Sequence, residues 1–594
     1  MQRRSIAILV AIWAALPLGA QETADKFAPE GAVEGQIAAT SQAVAAALEA
    51  KAQNLPVVGE TWMVSAANPL AVQAGAAVLQ DGGSAADAMV AVQSVLGLVE
   101  PQSSGLGGGA FLVWYDAKTG TLTTLDGRET APLAATPTLF QTEAGEPMGF
   151  FDAVVGGRSV GTPGTPALMQ AAHRKWGRAP WSGLFDAAIA LADGGFSVSP
   201  RLAGLVQRDA ERLARHPETA AYFLPDGQPV KQGDTLRNPA YGDTLQRLAA
   251  QGAEVFYAGP IAADIVRAVR TAGNPGVLSA VDLALYEVKE RAAVCAGYRV
   301  YQVCGMGPPS SGALTVGQIL GTLEPFNLSD LGADDPQSWR LIGDASRLAF
   351  ADRGRYMADS DYVPVPTRGL LDPAYLKLRG SGMTAPVALP EVGPGTPEFD
   401  HALNWADDEA IELPSTSHVS IVDRYGNVLS MTTTIENAFG SRVMTRGFLL
   451  NNELTDFSFR THSDGVPIAN RLEPGKRPRS SMAPTIVMQA GKPVLAIGSP
   501  GGSRIIGYVA QAIIAWADWG YDVQQAVAMP HLVNRFGTYD VEAGTNAVNM
   551  VGALEQMGYE VNARDLNSGL HAIEIGEVLK GAADPRREGI AMGQ

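Results

Sequence analysis

The sequence predicts a protein of the α+β class, because helix-forming and strand-forming patterns are largely segregated along the chain. Between Pro166 and Ala349 the pattern is mainly helical. By contrast, His418 to Asp423 and Val428 to Ile435 are rich in β-branched and apolar residues, and Arg424-Tyr425-Gly426 separates them. This pattern predicts a β-hairpin with Gly426 in the left-handed position of its loop.

Upstream of the hairpin, an alanine-rich segment from Gln36 to Lys51 favours a helix, and the compact fold is expected to begin near Val58. Asp81-Gly82-Gly83-Ser84 separates the next two helices, and Ser84 is the expected N-cap of the second. Further predicted helices are Ala71 to Leu79, Ala85 to Val99, Ala167 to Trp176, Trp181 to Gly194, Arg201 to His216, Tyr241 to Gln251, Pro260 to Ala272, Gln337 to Ala349 and Ser503 to Asp518.

A glycine-rich run, Gly105 to Gly109, precedes a strand predicted from Phe111 to Tyr115. Lys118-Thr119-Gly120 then turns the chain into a second strand, Leu122 to Leu125. A phosphate-binding loop requires a helix N-terminus after its glycines, whereas here a strand follows. We therefore interpret the run as close packing of the backbone.

The composition argues against nucleic acid as a partner, because 44 Lys and Arg stand against 61 Asp and Glu, a formal net charge of −17. At the N-terminus an apolar run from Ile6 to Leu18 follows two arginines and precedes Gly19 and Ala20. This pattern predicts a signal peptide, residues 1–20, whose apolar run is too short for an ordinary membrane span. The protein is therefore expected to be exported, to the periplasm or outside the cell, without a membrane anchor.

The chain contains two cysteines, Cys295 and Cys304, which flank a strand-like segment. In an oxidising compartment they either form a disulfide across a tight hairpin or remain free thiols. Two cysteines and seven scattered histidines show no ligand spacing, so neither a metal site nor a cofactor is expected. His418 is interpreted as a packed strand residue.

The predicted hairpin places two threonines opposite each other. If Asp423 pairs with Asn427, then Thr416 lies opposite Thr434 at the open end of the hairpin. Thr416 could act as an N-terminal nucleophile if the chain were cut after Ser415. Its freed α-amine, with a pKa of about 7.7 to 8, would then serve as the general base. Taken alone, however, the threonine pair is better explained by ordinary β-propensity.

Several motifs in the chain occur together in the order typical of one family. Ser415 to Asp456, Leu450 to Ser458, Arg477 to Thr485 and Gly498 to Arg504 resemble the small-subunit motifs of the gamma-glutamyltransferase (gamma-glutamyltranspeptidase) family. The resemblance extends upstream through Asp81 to Asp87, Gly107 to Gly109, Pro308 to Gly312 and Ala351 to Arg353. Such a combination is more specific than any one motif.

The resemblance implies the four-layer αββα sandwich of the N-terminal-nucleophile hydrolases, formed jointly by two subunits cut from one precursor. Self-cleavage at Ser415-Thr416 would yield a large subunit, residues 21–415, and a small catalytic subunit, residues 416–594. The two subunits would form a heterodimer. Residues 381–415, rich in Pro and Gly with an acidic cluster at Asp407 to Glu409, would be a flexible lead-in to the cut site.

The resemblance also assigns roles to site residues. Thr416 is the implied nucleophile, and Thr434 orients and polarises it. Gly501 and Gly502 are candidates for the oxyanion hole, since backbone N–H groups at a glycine turn entering a helix can stabilise an anion. The implied substrate-binding residues are Arg128, Ser480 and Ser481 for the α-carboxylate, and Glu453 and Asp456 for the α-ammonium group. The segment from Phe350 to Leu376 is interpreted as scaffold.

The chain departs from the family pattern at two places that concern substrate recognition. Glu436 stands where many members have Asn, which adds a third carboxylate to the implied ammonium site. Either one carboxyl group is held protonated, or Glu436 turns away and Asn437 takes the contact, or a nearby arginine neutralises Glu436. We expect the last, with Arg442 or Arg446 as the arginine. In addition, the loop from Phe457 to Arg479 contains no Tyr or Trp, whereas well-known members carry a longer lid with an aromatic residue.

The function implied is that of an exported gamma-glutamyltransferase or glutathione hydrolase, which passes a γ-glutamyl group to water, amino acids or peptides. One alternative is an amidase of the same fold, such as a cephalosporin (glutaryl) acylase. A glutaryl group lacks the amine, so it would leave Glu453 and Asp456 unpaired. A non-catalytic exported binding protein is the other alternative, which the joint presence of Thr416, Thr434 and Arg128 makes less favourable.

Overall fold

A computed structural model describes residues 35, 37–399, 401, 404–408 and 410–594. The predicted signal peptide, residues 1–20, lies outside these described residues. Over the described ranges, every helix is too short or too polar to cross a membrane.

Two antiparallel sheets of seven strands each organise the part of the chain that the structure describes. In spatial order, the first sheet consists of Ile590–Gly593, Met63–Ala66, Ser417–Val422, Val428–Thr434, Gly109–Asp116, Thr121–Gly127 and Lys289–Arg291. The second sheet consists of Val57–Gly59, Leu579–Ala583, His571–Ile575, Lys492–Gly498, Thr485–Gln489, Tyr301–Gly305 and Val294–Tyr298. A smaller sheet contains Leu532–Asn534, Tyr539–Glu542 and Val561–Arg564.

The two large sheets pack face to face, and each carries helices on its outer face. Because side chains alternate along a strand, Leu112 and Trp114 belong to a core shared with helices, whereas Val113 points the other way. Val113 lies in the core between the sheets together with Ile486 and Ile573 of the second sheet. The layers therefore follow the order αββα, which confirms the predicted fold.

The outer helices belong to two groups. Those on the first sheet are Gln42–Ala52, Pro69–Gln80, Ala85–Val99, Thr165–Trp176, Asp186–Gly194, Pro200–Leu213, Pro239–Gln251 and Pro260–Thr271. Those on the second sheet are Gly312–Leu323, Pro336–Tyr356, Ile505–Ala517, Val523–Ala528 and Val551–Gln556. Short helices at Phe150–Val154, Pro217–Phe223, Glu254–Tyr257, Ala280–Ala284, Leu328–Leu331, Thr367–Leu370 and Pro373–Gly380 complete this inventory of the described residues.

The helix bounds follow local capping chemistry. Ser84 caps Ala85–Val99 through a reciprocal pair of hydrogen bonds with Asp87, so this helix starts where its sequence predicts. The helix predicted from Trp181 to Gly194 instead begins with a 3₁₀ segment, Trp181–Phe185.

The predicted hairpin lies at the centre of the first sheet. Ser417 pairs with Thr433 and Val422 with Val428, which is the predicted register. Its loop closes through the Asp423 N–H, which donates to the Asn427 carbonyl at 3.1 Å. Gly426, with φ at +81°, occupies the left-handed position. The threonine ends of the two strands are thereby held next to each other inside the protein.

Cys295 and Cys304 lie directly opposite each other on neighbouring strands at the edge of the second sheet. They form a disulfide, so the structure selects this alternative over two free thiols.

Candidate active site

Thr416 and Thr434 form a buried hydroxyl pair at the open end of the hairpin. Their Oγ1 atoms are 3.0 Å apart, and the side chains are 4% and 2% exposed. Thr434 Oγ1 also accepts a hydrogen bond from the Glu436 N–H at 2.9 Å. The backbone after the second strand therefore fixes the hydroxyl that faces Thr416.

The backbone is strained at Thr416, whose φ is +91°. A β-branched residue rarely adopts a positive φ, and such strain costs on the order of 1–3 kcal/mol. Contacts on both sides of the Ser415-Thr416 peptide hold this conformation. Ser415 Oγ donates to the Gln102 carbonyl at 3.0 Å, and the Thr416 carbonyl accepts from Arg587 Nη1 at 3.2 Å. The strain thus lies next to the predicted cleavage site.

A cavity of about 20 Å³ lies beside the threonine pair, which is about enough space for one water molecule. The residues proposed from sequence that line it are Arg128, Thr416, Thr434, Glu436, Glu453, Asp456, Ser480, Ser481 and Gly502. Four further residues that were not predicted from sequence also line the cavity, namely Glu412, Leu413, Met482 and Ile505.

The two glycines proposed for the oxyanion hole occupy different positions. Gly502 borders the cavity, whereas Gly501 faces the ring of Tyr508, 2.8 Å from where a Cβ would lie. Both have positive φ, at +135° for Gly501 and +58° for Gly502. The turn leads through a 3₁₀ segment, Gly502–Arg504, into the helix that starts at Ile505.

The resemblance assigned Arg128 to the α-carboxylate of a substrate, and Glu453 and Asp456 to its α-ammonium group. In the structure, Arg128 pairs with these two acids. Its Nη1 donates to Glu453 and its Nη2 donates to Asp456 Oδ2 at 2.5 Å. Arg128 also donates to the carbonyls of Pro478 at 3.2 Å and Arg479 at 2.9 Å. In the intact chain, the Arg128 side chain therefore donates four hydrogen bonds within the protein.

Glu453 and Asp456 pair with Arg128, and Glu436 lines the same cavity. Burial raises the pKa of Glu453 and of Asp456 well above their ordinary values, even though Arg128 acts in the opposite direction. Burial, followed by the charge of Asp456, raises the pKa of Glu436 well above its ordinary value. Burial and mutual repulsion thus disfavour the charged forms of these carboxyl groups.

The expectation that Arg442 or Arg446 neutralises Glu436 is wrong. Arg442 donates to Asp209 Oδ2 at 2.8 Å and to Asn437 Oδ1 at 2.8 Å. Arg446 forms its ion pair with Asp264. Both arginines have left-handed backbones, with φ values of +61° and +51°, and their side chains reach acids on helices far away in sequence. Glu436 instead accepts hydrogen bonds from Asn452 Nδ2 and, at 3.4 Å, from the Leu413 N–H.

Ser481, which also lines the cavity, contacts an arginine of the segment that was interpreted as scaffold. Arg353 Nη2 donates to Ser481 Oγ at 2.7 Å, and Ser481 Oγ donates to Glu412 Oε2 at 2.5 Å. Arg353 also pairs with Glu412, and Arg479 Nε lies 3.5 Å from the same carboxylate. The motifs that carried the resemblance contain both arginines, but sequence order alone does not show that they meet.

His418 has the structural role that the sequence analysis gave it. The ring is fully buried, and its nitrogens lie 2.8 Å from Thr432 Oγ1 and 3.1 Å from Ser420 Oγ. Burial lowers the pKa of His418 well below its ordinary value, so the ring stays neutral.

Comparisons with known proteins agree with this fold. Residues 71–594 match the family described as Gamma-glutamyltranspeptidase. The chain is 37% identical over 552 residues to the glutathione hydrolase proenzyme of Bacillus subtilis (strain 168), covering 90% of this chain and 92% of that protein. It is 33% identical over 545 residues to the acylase ACY 1 proenzyme of Pseudomonas sp. (strain V22), covering 90% and 94% respectively. The crystal structure of cephalosporin acylase from Bacillus halodurans has a TM-score of 0.80 at 25% identity, covering 91% and 97%.

The four-layer sandwich and the proenzyme relatives define the class as an N-terminal-nucleophile hydrolase. Within that class, the chain belongs to the gamma-glutamyltranspeptidase family.

Proposed function

We propose that this protein is an exported gamma-glutamyltransferase and glutathione hydrolase that matures by cutting its own chain between Ser415 and Thr416. The observation that carries the proposal is the 3.0 Å contact between the Thr416 and Thr434 hydroxyls, in a cavity that contains both carboxyl and guanidinium groups. Residues 21–415 and 416–594 would remain together as a heterodimer. The relatives named glutathione hydrolase proenzyme support the same reading.

Maturation begins when Thr416 Oγ1 attacks the carbonyl carbon of Ser415. The carbon–nitrogen bond breaks as the ester forms, and the hydroxyl proton moves to the departing nitrogen. Water then hydrolyses the ester, which leaves a carboxylate on Ser415 and restores the Thr416 hydroxyl beside a free α-amine. The positive φ at Thr416 favours this reaction, because cleavage releases the strain.

In turnover, the α-amine of Thr416 takes the hydroxyl proton as Oγ1 attacks the γ-carbonyl of the donor. An α-amine titrates at about 7.7 to 8, which suits a general base near neutral pH. The Thr434 hydroxyl positions Oγ1, and N–H groups at Gly501-Gly502 stabilise the oxyanion. The amine product leaves a γ-glutamyl ester on Thr416, and water or the amine of an acceptor then takes the acyl group.

The charges around the cavity favour a zwitterionic donor. The α-ammonium group would bind Glu453, Asp456 and Glu436, and the α-carboxylate would bind Ser480 and Ser481 together with Arg128. A zwitterion replaces the internal ion pairs of Arg128 with external ones and leaves the net charge of the site unchanged. This exchange would hold the γ-carbonyl over Thr416.

A glutaryl acylase is the second candidate, and the raised pKa values of Glu436, Glu453 and Asp456 favour it. Neutral carboxyl groups do not require an ammonium partner, so a glutaryl group would not leave them as unpaired charges. The acylase relatives are consistent with this activity.

The test is the mature protein assayed side by side on a γ-glutamyl anilide and on a glutaryl anilide, with Thr416→Ala as the inactive control. We expect kcat/KM for the γ-glutamyl donor to exceed that for the glutaryl donor by about 10²-fold or more, since a donor without the amine leaves the buried polar groups that would bind it without a partner. The reverse ratio would establish the acylase. An uncut chain that turns over neither compound would support a binding protein.

A further inference from the structure

Two buried arginines, Arg353 and Arg479, approach Glu412 and Ser481, which line the cavity. Arg353 is 3% exposed and Arg479 is 1% exposed. Arg353 extends from the helix Pro336–Tyr356, where its Nε donates to Ser311 Oγ at 2.8 Å. These contacts hold a guanidinium group against the Ser481 hydroxyl.

The acids that pair with these arginines come from the lead-in segment, residues 381–415. Glu412 pairs with Arg353 and lies 3.5 Å from Arg479 Nε, while Asp408 Oδ2 lies 3.0 Å from Arg479 Nη1. Burial alone would raise the pKa of Glu412, but the charges of Arg353 and Arg479 lower it below its ordinary value. Glu412 is therefore a carboxylate, in contrast to the acids around Arg128.

The lead-in also fills the cavity. Glu412 and Leu413 line it, and a Cβ on Gly502 would lie 2.8 Å from the Glu412 carbonyl oxygen. The remaining 20 Å³ is too small for an acyl group of five carbons. A donor can reach Thr416 only after Glu412 has been displaced, and cleavage after Ser415 frees the chain close to this residue.

We propose that Arg353 and Arg479 extend the carboxylate subsite of Ser480 and Ser481, so that they help to bind the carboxylate of the acyl donor, and that Glu412 occupies this place as an internal carboxylate before cleavage. The proposal deepens the function proposed above, and its ligands are acyl groups that end in a carboxylate. Guanidinium groups bind carboxylates through paired N–H donors, and the hydroxyl of Ser481 already donates to one here. Once Glu412 leaves, the same donors face the incoming acyl carboxylate.

The binding test uses the uncut chain, so it does not depend on turnover. Glu412→Ala is introduced into a Thr416→Ala background, and the melting temperature is measured with millimolar glutarate. We expect glutarate to raise the Tm of the double variant and not that of Thr416→Ala alone, where Glu412 fills the subsite. Glutaramide, which has the same length without the charge, should have no effect, and adding Arg479→Met should abolish the glutarate response.

A kinetic test on the cleaved enzyme keeps the proposal falsifiable if Glu412→Ala does not fold. Arg479→Met should raise KM for the anilide donor by about tenfold and change kcat less, since a hydrogen bond to a charged group contributes that much binding. Arg355→Met is the matched control, because Arg355 also pairs with an acid of the lead-in, but this acid is Asp407 instead of Glu412, and Arg355 is 31% exposed.

Equal Tm shifts in the parent and in the Glu412→Ala variant would overturn the subsite, as would an unchanged KM in Arg479→Met. These outcomes differ from a failure of the proposed function. If the protein has neither the transferase nor the acylase activity, the anilide assay fails for every variant, while glutarate still stabilises the uncut Glu412→Ala chain.

Discussion

Replacing Thr434 by valine tests the threonine pair, because valine keeps the shape of the side chain and removes only its hydroxyl. That hydroxyl has two partners in the structure. It lies 3.0 Å from Thr416 Oγ1 and accepts the Glu436 N–H at 2.9 Å. The substitution therefore removes a partner of the nucleophile and leaves a buried backbone donor without an acceptor.

The two losses have different magnitudes and appear in different assays. A buried N–H that loses its acceptor costs about 1–3 kcal/mol of unfolding free energy. A positioned hydroxyl partner contributes about 10²-fold to a rate. We therefore expect Thr434→Val to fold with reduced stability, to cleave its chain about 10²-fold more slowly, and to lose a similar factor in kcat after cleavage.

The assay follows the appearance of the small subunit by gel electrophoresis and then kcat on a γ-glutamyl anilide. Thr434→Ser keeps the hydroxyl and should retain most of the rate. Thr433→Val is the matched control, because Thr433 is equally buried on the same strand, faces the other side and has a hydroxyl without a hydrogen-bond partner among the described residues. A Thr434→Val enzyme with the rates of Thr433→Val would refute the role of the pair.

Three further predictions concern the cut site and the acids that line the cavity. Purified protein should consist of two chains, and N-terminal sequencing of the smaller should begin at Thr416, whereas Thr416→Ala should stay intact; a new terminus at Ser417 would contradict the mechanism. Gly502→Ala should slow cleavage by about tenfold or more, because φ is +58° there and the new Cβ would lie 2.8 Å from the Glu412 carbonyl; an unchanged time course would show that this turn does not constrain the lead-in. Glu436→Gln, in a Thr416→Ala background, should be more stable than its parent at neutral pH, as measured by urea unfolding. The folded-state pKa of Glu436 is raised, so the parent loses stability as pH rises from about 4.3, the unfolded value, through the folded pKa, and glutamine does not titrate. The two proteins should converge below about pH 4, and a gap independent of pH would mean that Glu436 is not the titrating group.

The hairpin could be predicted from sequence because its determinants are local. The alternation of residues and the Asp423-to-Asn427 loop fix the register, and the register alone brings Thr416 to Thr434. Most helix bounds are local in the same sense, since capping residues such as Ser84 lie next to the elements they terminate.

The ion pairs of the site could not be predicted in this way. Arg442 lies closer in sequence to Glu436 than to Asp209, yet the fold pairs it with Asp209. Likewise, Arg353 contacts Glu412 and Ser481 only because the helix Pro336–Tyr356, on the outer face of the second sheet, ends beside these residues. Which acid meets which arginine is decided by the packing of distant elements, and the resemblance carried no information about Glu412.

The preference of the site for one acyl donor over another depends on the protonation of its acids. These acids form two groups, one around Arg128 and the other, Glu412, between Arg353 and Arg479. Burial favours neutral carboxyls around Arg128, whereas Glu412 stays ionised between Arg353 and Arg479. A γ-glutamyl donor supplies a cation to the acids around Arg128, so its binding favours ionisation of Glu453 and Asp456 and releases protons. A glutaryl donor supplies only a carboxylate to the arginines and binds best while those carboxyls remain protonated. The preference for γ-glutamyl over glutaryl compounds should therefore increase with pH, because one site serves both acyl groups and its protonation state selects between them.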